Sequence, residues 1–330
     1  MRHWSGLALA LTLTWAVPSF AQPTLWERVR DPDAQKAFEL LSTVERKLIE
    51  DDTDPLDLVG RHRTYREIVS LLDANDAASL PDPRLHFLLA DIYADALIAR
   101  YRDARRAVEQ ALAEAPNSPD AAHGWFLLGI VCAKLDDPGC ENDAYSHALE
   151  VAVDRDLRAN IYLNRGETNM VVGDLESAVR DFRQAVRLSR RMDLISLSYY
   201  GLGIALERSG DLPSALQAMR RARANWPALA PYTALDMPSV FFVPSYDIYY
   251  YKALESMALA ERARRDGDYE LEQVHLRAAI AHWSSYIDAA ESAGHEYLTN
   301  ARLHRENCGR ALERSLVRAA GPSRRAGGGP

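Results

Sequence analysis

The chain has 330 residues, 48% of them hydrophobic and 26% charged. That is ample material for a folded core, and it excludes both a disordered tail and a membrane bundle. The 47 acids outnumber the 39 lysines and arginines for a net charge of −8, so a nucleic-acid partner, which would want a clustered basic face, is not expected.

Residues 1–21 read as a processing segment. Arg2 and His3 precede an apolar run from Trp4 to Val17, too short to cross a bilayer core of about 30 Å comfortably. Ser19 and Ala21 are the small residues that signal peptidase takes three and one positions before its cut. Cleavage after Ala21 is expected. It would leave an exported bacterial chain, periplasmic or secreted, with no transmembrane segment; an uncleaved anchor helix is the competing reading. No cysteine lies near the cut, which argues against a lipoprotein.

Residues 22–83 carry two helical patterns around the polar, proline-marked stretch Asp51–Pro55. Phe38, Leu41, Val44 and Leu48 keep helical spacing in the first, and Val59, Tyr65, Ile68, Val69 and Leu72 in the second. No repeat is visible here, so a divergent N-terminal helical cap is expected, with residues 75–83 as a connector.

From residue 84 to 227 one helical unit recurs. The two clearest copies are 159–190 and 196–227; aligning Gly166 with Gly203 brings Gly173 onto Gly210, Asp174 onto Asp211, Ala178 onto Ala215 and Ala185 onto Ala222. Looser copies occupy 84–116 and 122–153. No copy can bury its apolar face alone, so stacked neighbours must supply the rest of the core. Gly173 and Gly210, each followed by Asp, predict a left-handed helix end and then an N-cap. Fitting both halves of 84–116 needs two extra residues near Ala96, which predicts a lengthened first helix. In 122–153, Glu141 stands where a small residue is expected.

This unit resembles the tetratricopeptide repeat. Tyr199, Leu202, Gly203, Gly210, Ala215, Met219, Ala222 and Pro227 carry the likeness in one copy, and Tyr162, Gly166, Gly173, Ala178, Phe182 and Ala185 in the other; Arg165 and Arg190 depart from the family's Leu and Pro. The resemblance implies an all-α, right-handed superhelical α-solenoid acting as a non-enzymatic protein–protein interaction scaffold. It also implies an inner surface built from positions two, five, nine and twelve of each first helix. Those positions fall on Arg84, Phe87 and Asp91, on His123, Phe126 and Ile130, on Asn160, Leu163, Glu167 and Met170, and on Leu197, Tyr200, Ile204 and Glu207, with Asn164 beside them. The Lys and Asn set with which some members clamp a terminal carboxylate is missing. An apolar-anchored peptide segment of another envelope or secreted protein is therefore the expected occupant. Packing of the same side chains against the neighbouring repeat is the competing reading.

After Pro227 the register breaks. Residues 228–246 form an insert rich in aromatics and prolines, with Pro231, Pro238 and Pro244 preventing a helix through most of it. Phe241, Phe242, Tyr246, Tyr249 and Tyr250 either form a docking patch, which would make the chain an accessory subunit that binds through residues 231–251, or fold back and plug the solenoid itself. Residues 247–293 then read as an irregular fifth helix pair with Ala279, Trp283 and Tyr286 as a buried row. Residues 294–319 read as a C-terminal capping helix, amphipathic through Leu298, Leu303, Cys308, Leu312 and Leu316, and 320–330 as a disordered tail.

A search for chemistry finds no Gly-rich phosphate loop, no His-Glu-x-x-His and no Gly-x-Ser-x-Gly. Gly201-Leu202-Gly203 lies inside a repeat helix with no strand before it, and His275 and His282 have no third ligand nearby, so no cofactor and no metal are expected. An envelope hydrolase with an unrecognised site remains the alternative of another class. Cys132 and Cys140 flank the turn Asp136–Gly139. They are either disulfide-bonded in an oxidising compartment or two small core residues, while Cys308 is expected to be buried.

Overall fold

The computed structural model describes residues 31–51, 58–227, 232–237, 240, 242, 244–291 and 297–319. The expected signal segment, the tail from 320, Phe241 and most of the stretch Asp51–Pro55 lie outside the described residues. Among those described, the chain is all-α, with thirteen α-helices and no strand. It divides into two compact units, one ending at Val172 and the other starting at Gly173, so the division falls between the two helices of the third repeat.

The N-terminal unit contains α1 (Pro32–Asp51), α2 (Leu58–Ala74), α3 (Pro83–Ala94), α4 (Tyr101–Glu114), α5 (Ala121–Lys134), α6 (Pro138–Val151) and α7 (Arg155–Val171). Its core joins the cap to the first repeats. Leu41 and Val44 of α1, Ile68 and Leu72 of α2, and Leu85 and Leu89 of α3 belong to one cluster with Val108 of α4 and Val131 of α5. Val59 does not join the buried row assigned to it; at 81% exposure it stands in solvent at the start of α2, and Ile68 and Leu72 carry the burial.

The extra residues near Ala96 do not lengthen α3, which has 12 residues against 14 in α5. They form a loop instead. Asp95 accepts the Leu97 N–H, Ala99 takes φ 53°, and Arg100 returns an N–H to the Tyr93 carbonyl at 2.8 Å. Cys132 near the end of α5 and Cys140 at the start of α6 are disulfide-bonded, with Cα atoms 5.8 Å apart. Closing so short a loop stabilises by about 2.5 kcal/mol on the chain-entropy account.

The C-terminal unit contains α8 (Leu175–Leu188), α9 (Met192–Arg208), α10 (Leu212–Ala224), α11 (Asp247–Arg265), α12 (Tyr269–Glu291) and α13 (Leu298–Ala319). α9 is buried on nearly all sides, from Leu194 and Leu197 through Tyr200 to Glu207. On α12, Ala279, Trp283 and Tyr286 form the buried row. On α13 the buried side chains are Ala301, His304, Cys308 and Ser315, whereas Leu303 and Leu316 are exposed. The apolar stripe expected there is therefore rotated toward a partly polar face, because α12 offers hydrogen-bond partners: Ser315 Oγ donates to Glu272 at 2.6 Å, and Arg318 adds an ion pair at 3.1 Å.

One turn is repeated through both units. A residue with positive φ is followed by an Asp whose carboxylate accepts the N–H three residues on. The pairs are Asp136 and Asp137 (to Cys140), Gly173 and Asp174 (to Ser177), Gly210 and Asp211 (to Ser214), and Gly267 and Asp268 (to Leu271), at 2.9–3.1 Å. The left-handed residue ends one helix and the Asp caps the next. The first three caps are 37 residues apart; the fourth is displaced by the insert but keeps the same construction.

Candidate partner-binding surfaces

In the N-terminal unit the helix-A positions divide by depth. Phe87 is buried against Gly124 of α5, where an added Cβ would stand 2.4 Å from its ring. Phe126 lies under Tyr145, ring centroids 6.0 Å apart, and Asn160 and Leu163 are also buried. These four side chains pack helix on helix and offer little to a partner. Asp91, Ile130, Asn164 and Glu167 remain half-buried, with His123 among them.

Asp91 and His123 meet across α3 and α5 at 3.1 Å. Burial alone would depress the imidazole pKa, but the carboxylates of Asp91 and Asp120 outweigh it and hold His123 above its ordinary value. Burial in turn raises the Asp120 carboxyl. Asn164 turns its amide back on its own helix, donating to the Asn160 carbonyl at 2.8 Å. The open part of this surface is thus a set of polar groups with Ile130 as its apolar member.

In the C-terminal unit position five is again buried, and position nine, half-buried in the N-terminal unit, is buried as well. Tyr200 and Ile204 have no exposed surface, so neither is available to a partner, which corrects their assignment to an open groove. The Tyr200 hydroxyl donates to Glu255 of α11 at 2.6 Å and also meets Thr233 of the insert. Burial, followed by the Glu255 charge, raises the phenol far above its usual pKa. Glu207 is buried as well. It accepts from the Tyr250 hydroxyl and from His304 Nε2 at 2.7 Å, with Asn300 Nδ2 at 3.4 Å. Beside it, Arg208 pairs with Asp247 at 3.0 Å and lies over the Tyr297 ring.

The insert residues split in the same way. Tyr250 is fully buried against Trp283 and Tyr286 and cannot belong to a docking patch. Phe242 rests edge-on to Tyr251 at 5.1 Å, and Tyr246 on Tyr286 at 5.8 Å. Tyr249 is exposed. A short 3-10 turn, Ala234–Asp236, is anchored by Lys252 on Asp236 at 2.6 Å and buries Ala234 and Leu235. Trp226 Nε1 donates to the Tyr232 carbonyl at 2.8 Å. Most of the described insert therefore packs onto its own unit. Among the described residues no three metal-ligating side chains converge, and no helix is long and apolar enough to cross a membrane. Cys308 is buried, and burial pushes its thiol up to about 12.

The Gly–Asp turns, the 37-residue spacing and the paired helices describe the repeat, and a family model for the tetratricopeptide repeat matches residues 99–139 and 163–230. These two stretches of the chain are tetratricopeptide repeats. The matched residues cover α4, α5 and the span from the second half of α7 through α10, so the N-terminal cap, α3, nearly all of α6, the first half of α7 and α11–α13 lie outside the match. Tetratricopeptide repeats bind protein partners, and the fold is generally a non-catalytic interaction scaffold. No curated protein matches the chain in sequence. Similar solved structures include BtubC (BKLC) from P. vanneervenii, 20% identical over 61% of this chain and 94% of that one, TM-score 0.45. The C-terminal part of a TPR repeat-containing protein from Cytophaga hutchinsonii is 14% identical over 76% and 90%, TM-score 0.45. MamA is 18% identical over 57% and 91%, TM-score 0.43.

The helix-A positions leave out the second helices, which carry a charge of their own. α8 and α10 together carry six arginines and two acids in a chain that is acidic as a whole. The signal was available: residues 212–224 hold three arginines and no acid.

Proposed function

We propose that this protein is a tetratricopeptide-repeat scaffold of the bacterial cell envelope that holds a segment of another exported protein on the helix-A face of its N-terminal unit. The observation that carries the reading is the contrast in cover. At repeat positions two and nine, Asp91, His123, Ile130 and Glu167 keep part of their surface in solvent, with Asn164 beside them, whereas Leu197 and Ile204 at the same positions are buried in their own unit. The occupant is a segment with an apolar side chain to seat on Ile130 and hydrogen-bonding or basic groups to meet Asp91, Asp120 and Glu167. Export is supported by the signal-like first 21 residues and by the disulfide between Cys132 and Cys140. Mass analysis of the chain recovered from the envelope fraction is expected to show Gln22 as the first residue.

A photo-crosslinking side chain at Ile130 tests the binding surface. In envelope extract it is expected to give one discrete protein adduct, lost in the Asp91→Arg/Glu167→Arg variant. The same probe at Leu316, exposed on α13, is the control. An adduct that survives the double variant sinks the reading.

A further inference from the structure

The C-terminal unit has a second concave feature, on the opposite set of helices. α8 and α10 flank a groove of about 250 Å³ whose floor is α9. Val186 is half-buried and supplies most of the open apolar surface, Leu202 and Leu206 each show 8% of theirs at the floor, and Arg183 and Arg221 stand on its two flanks. The volume is below the range of about 300–1,000 Å³ typical of cofactor and small-molecule sites, and suits one or two side chains of a polypeptide.

The charge on this face is the second observation. Of the arginines on α8 and α10, Arg180 is paired with Glu176 and Arg220 with Glu261 at 2.7 Å. Arg183 and Arg221 make no ion pair among the described residues; Arg183 only feels Asp211 at longer range. The Arg221 guanidinium lies over the Tyr199 ring, 5.8 Å from its centroid, which holds it at the groove without neutralising it. Two guanidiniums beside an apolar floor, in a chain of net charge −8, are complementary to carboxylates flanking an apolar side chain.

We propose that the groove between α8 and α10 is a second docking site, and that its occupant is an acidic segment of a partner protein that seats an apolar side chain on Val186, Leu202 and Leu206 and directs carboxylates to Arg183 and Arg221. This surface is independent of the helix-A face of the N-terminal unit. A scaffold with both would hold two segments of different charge at once.

The test is fluorescence anisotropy with the full chain and a labelled peptide, acetyl-Glu-Leu-Glu-Glu-Leu-Glu-amide, beside its isostere with every Glu replaced by Gln. Saturable binding of the acidic peptide is expected, at least tenfold weaker for the isostere, for the Arg183→Gln/Arg221→Gln variant, and for the wild-type chain at tenfold higher salt. Both arginines are exposed, so the variant is expected to keep the wild-type melting temperature; the isostere arm needs no variant. Ile130→Glu, on the other surface, is expected to leave this binding unchanged. Equal binding of peptide and isostere, equal binding by the double variant, or no saturation up to millimolar peptide would overturn the proposal. So would a concentration-dependent dimer of the chain alone that the double variant abolishes, which would assign the groove to a second copy.

Discussion

In the N-terminal unit, helix-A positions two and nine put Asp91, His123 and Ile130 partly into solvent; in the C-terminal unit the same positions hold Leu197 and Ile204, both buried, while position five is buried in both units, as Phe87, Phe126 and Tyr200. The second helices show the reverse. α4 and α6 carry three arginines and six acids, and two of those arginines, Arg105 and Arg106, are bonded to Glu109, Asp137 and Asp103. α8 and α10 carry six arginines and two acids and leave Arg183 and Arg221 without an ion pair among the described residues. The repeat pattern specifies how helices pack; what is left open is decided by residues outside that pattern. In the C-terminal unit those are the insert, α11 and α13, which bring Thr233, Glu255, Tyr250 and His304 onto α9.

The largest expected effect comes from breaking that cover. Glu207→Ala orphans the buried hydroxyl of Tyr250 and the ring nitrogen of His304, and each unmade buried hydrogen bond costs about 1–3 kcal/mol. Together the loss is about 3–4 kcal/mol, readable as a fall in the urea midpoint of the C-terminal unit. Glu167→Ala, on the open helix-A face, is expected to cost less than about 1 kcal/mol. If the two substitutions cost the same, the covered and open faces are not energetically distinct and the comparison fails.

Next is the glycine that each repeat places at the crossing of its two helices. A Cβ on Gly129 would stand 2.2 Å from the Tyr145 ring, whereas one on Gly203, at the same repeat position, would meet the terminal methyl of Met219 at 2.6 Å and, less closely, the Ala215 carbonyl oxygen at 3.3 Å. A ring held on both sides cannot move aside, but an unbranched thioether chain can. Gly129→Ala is expected to lose about 2 kcal/mol net of the roughly 1 kcal/mol gained from helix propensity, and Gly203→Ala close to nothing. Calorimetric melting of the two variants checks the difference. Equal losses would mean that the C-terminal core is as rigid as the N-terminal one.

How much of this was legible in the sequence follows from which residues encode it. The Gly–Asp turns and the small residues at helix crossings are local requirements, so helices and caps from Tyr101 to Ala224 could be placed by pattern. The depth of a helix-A side chain depends on what lies over it. Tyr200 looks like a groove residue until Glu255, 55 residues later, takes its hydroxyl. Leu303 and Leu316 read as the buried stripe of α13, but the deciding contacts belong to His304 and Ser315, which find buried carboxylates. The charge of α8 and α10 was visible all along. That Arg183 and Arg221 lack partners was not, because ion pairing needs geometry.

A pH response can be assigned to one residue of the N-terminal unit. Glu141 of α6 stands where the repeat expects a small residue, and burial drives its carboxyl from 4.5 up to about 7 against the opposing hydrogen bond from Thr168. Its folded pKa lies above its unfolded value, so between about pH 4.5 and 7 the native state holds the extra proton. Stability is fully present below that window and declines as pH rises through it. Discounted for partial solvent access, the decline is about 1.5 kcal/mol between pH 5 and 8. Glu141→Gln keeps the shape, removes the charge and is expected to flatten most of that slope, read from urea midpoints across the range. His123, Asp120 and, in the C-terminal unit, Glu255 are also raised, have the same sign and leave a residual slope. A slope unchanged in Glu141→Gln would assign the pH response elsewhere.

The smallest effect expected is at the turn that both units share. Gly173 and Gly210 adopt φ 81° and 92° with nothing near the Cβ position, so an alanine there meets only backbone strain. That costs about 1 kcal/mol. The equivalent residue before α6 is Asp136, which already bears the strain at φ 58°. Asp136→Gly therefore relieves what Gly210→Ala introduces, and the two substitutions are expected to have opposite signs: a gain of about 0.5 kcal/mol, reduced by the greater freedom of glycine in the unfolded chain, against the loss of about 1. Thermal melting of both variants, with the disulfide at Cys132 and Cys140 intact, decides the matter. If Asp136→Gly also destabilises, then the Asp136 side chain contributes something to its turn that glycine in the other turns does without, and the four turns are alike in backbone only.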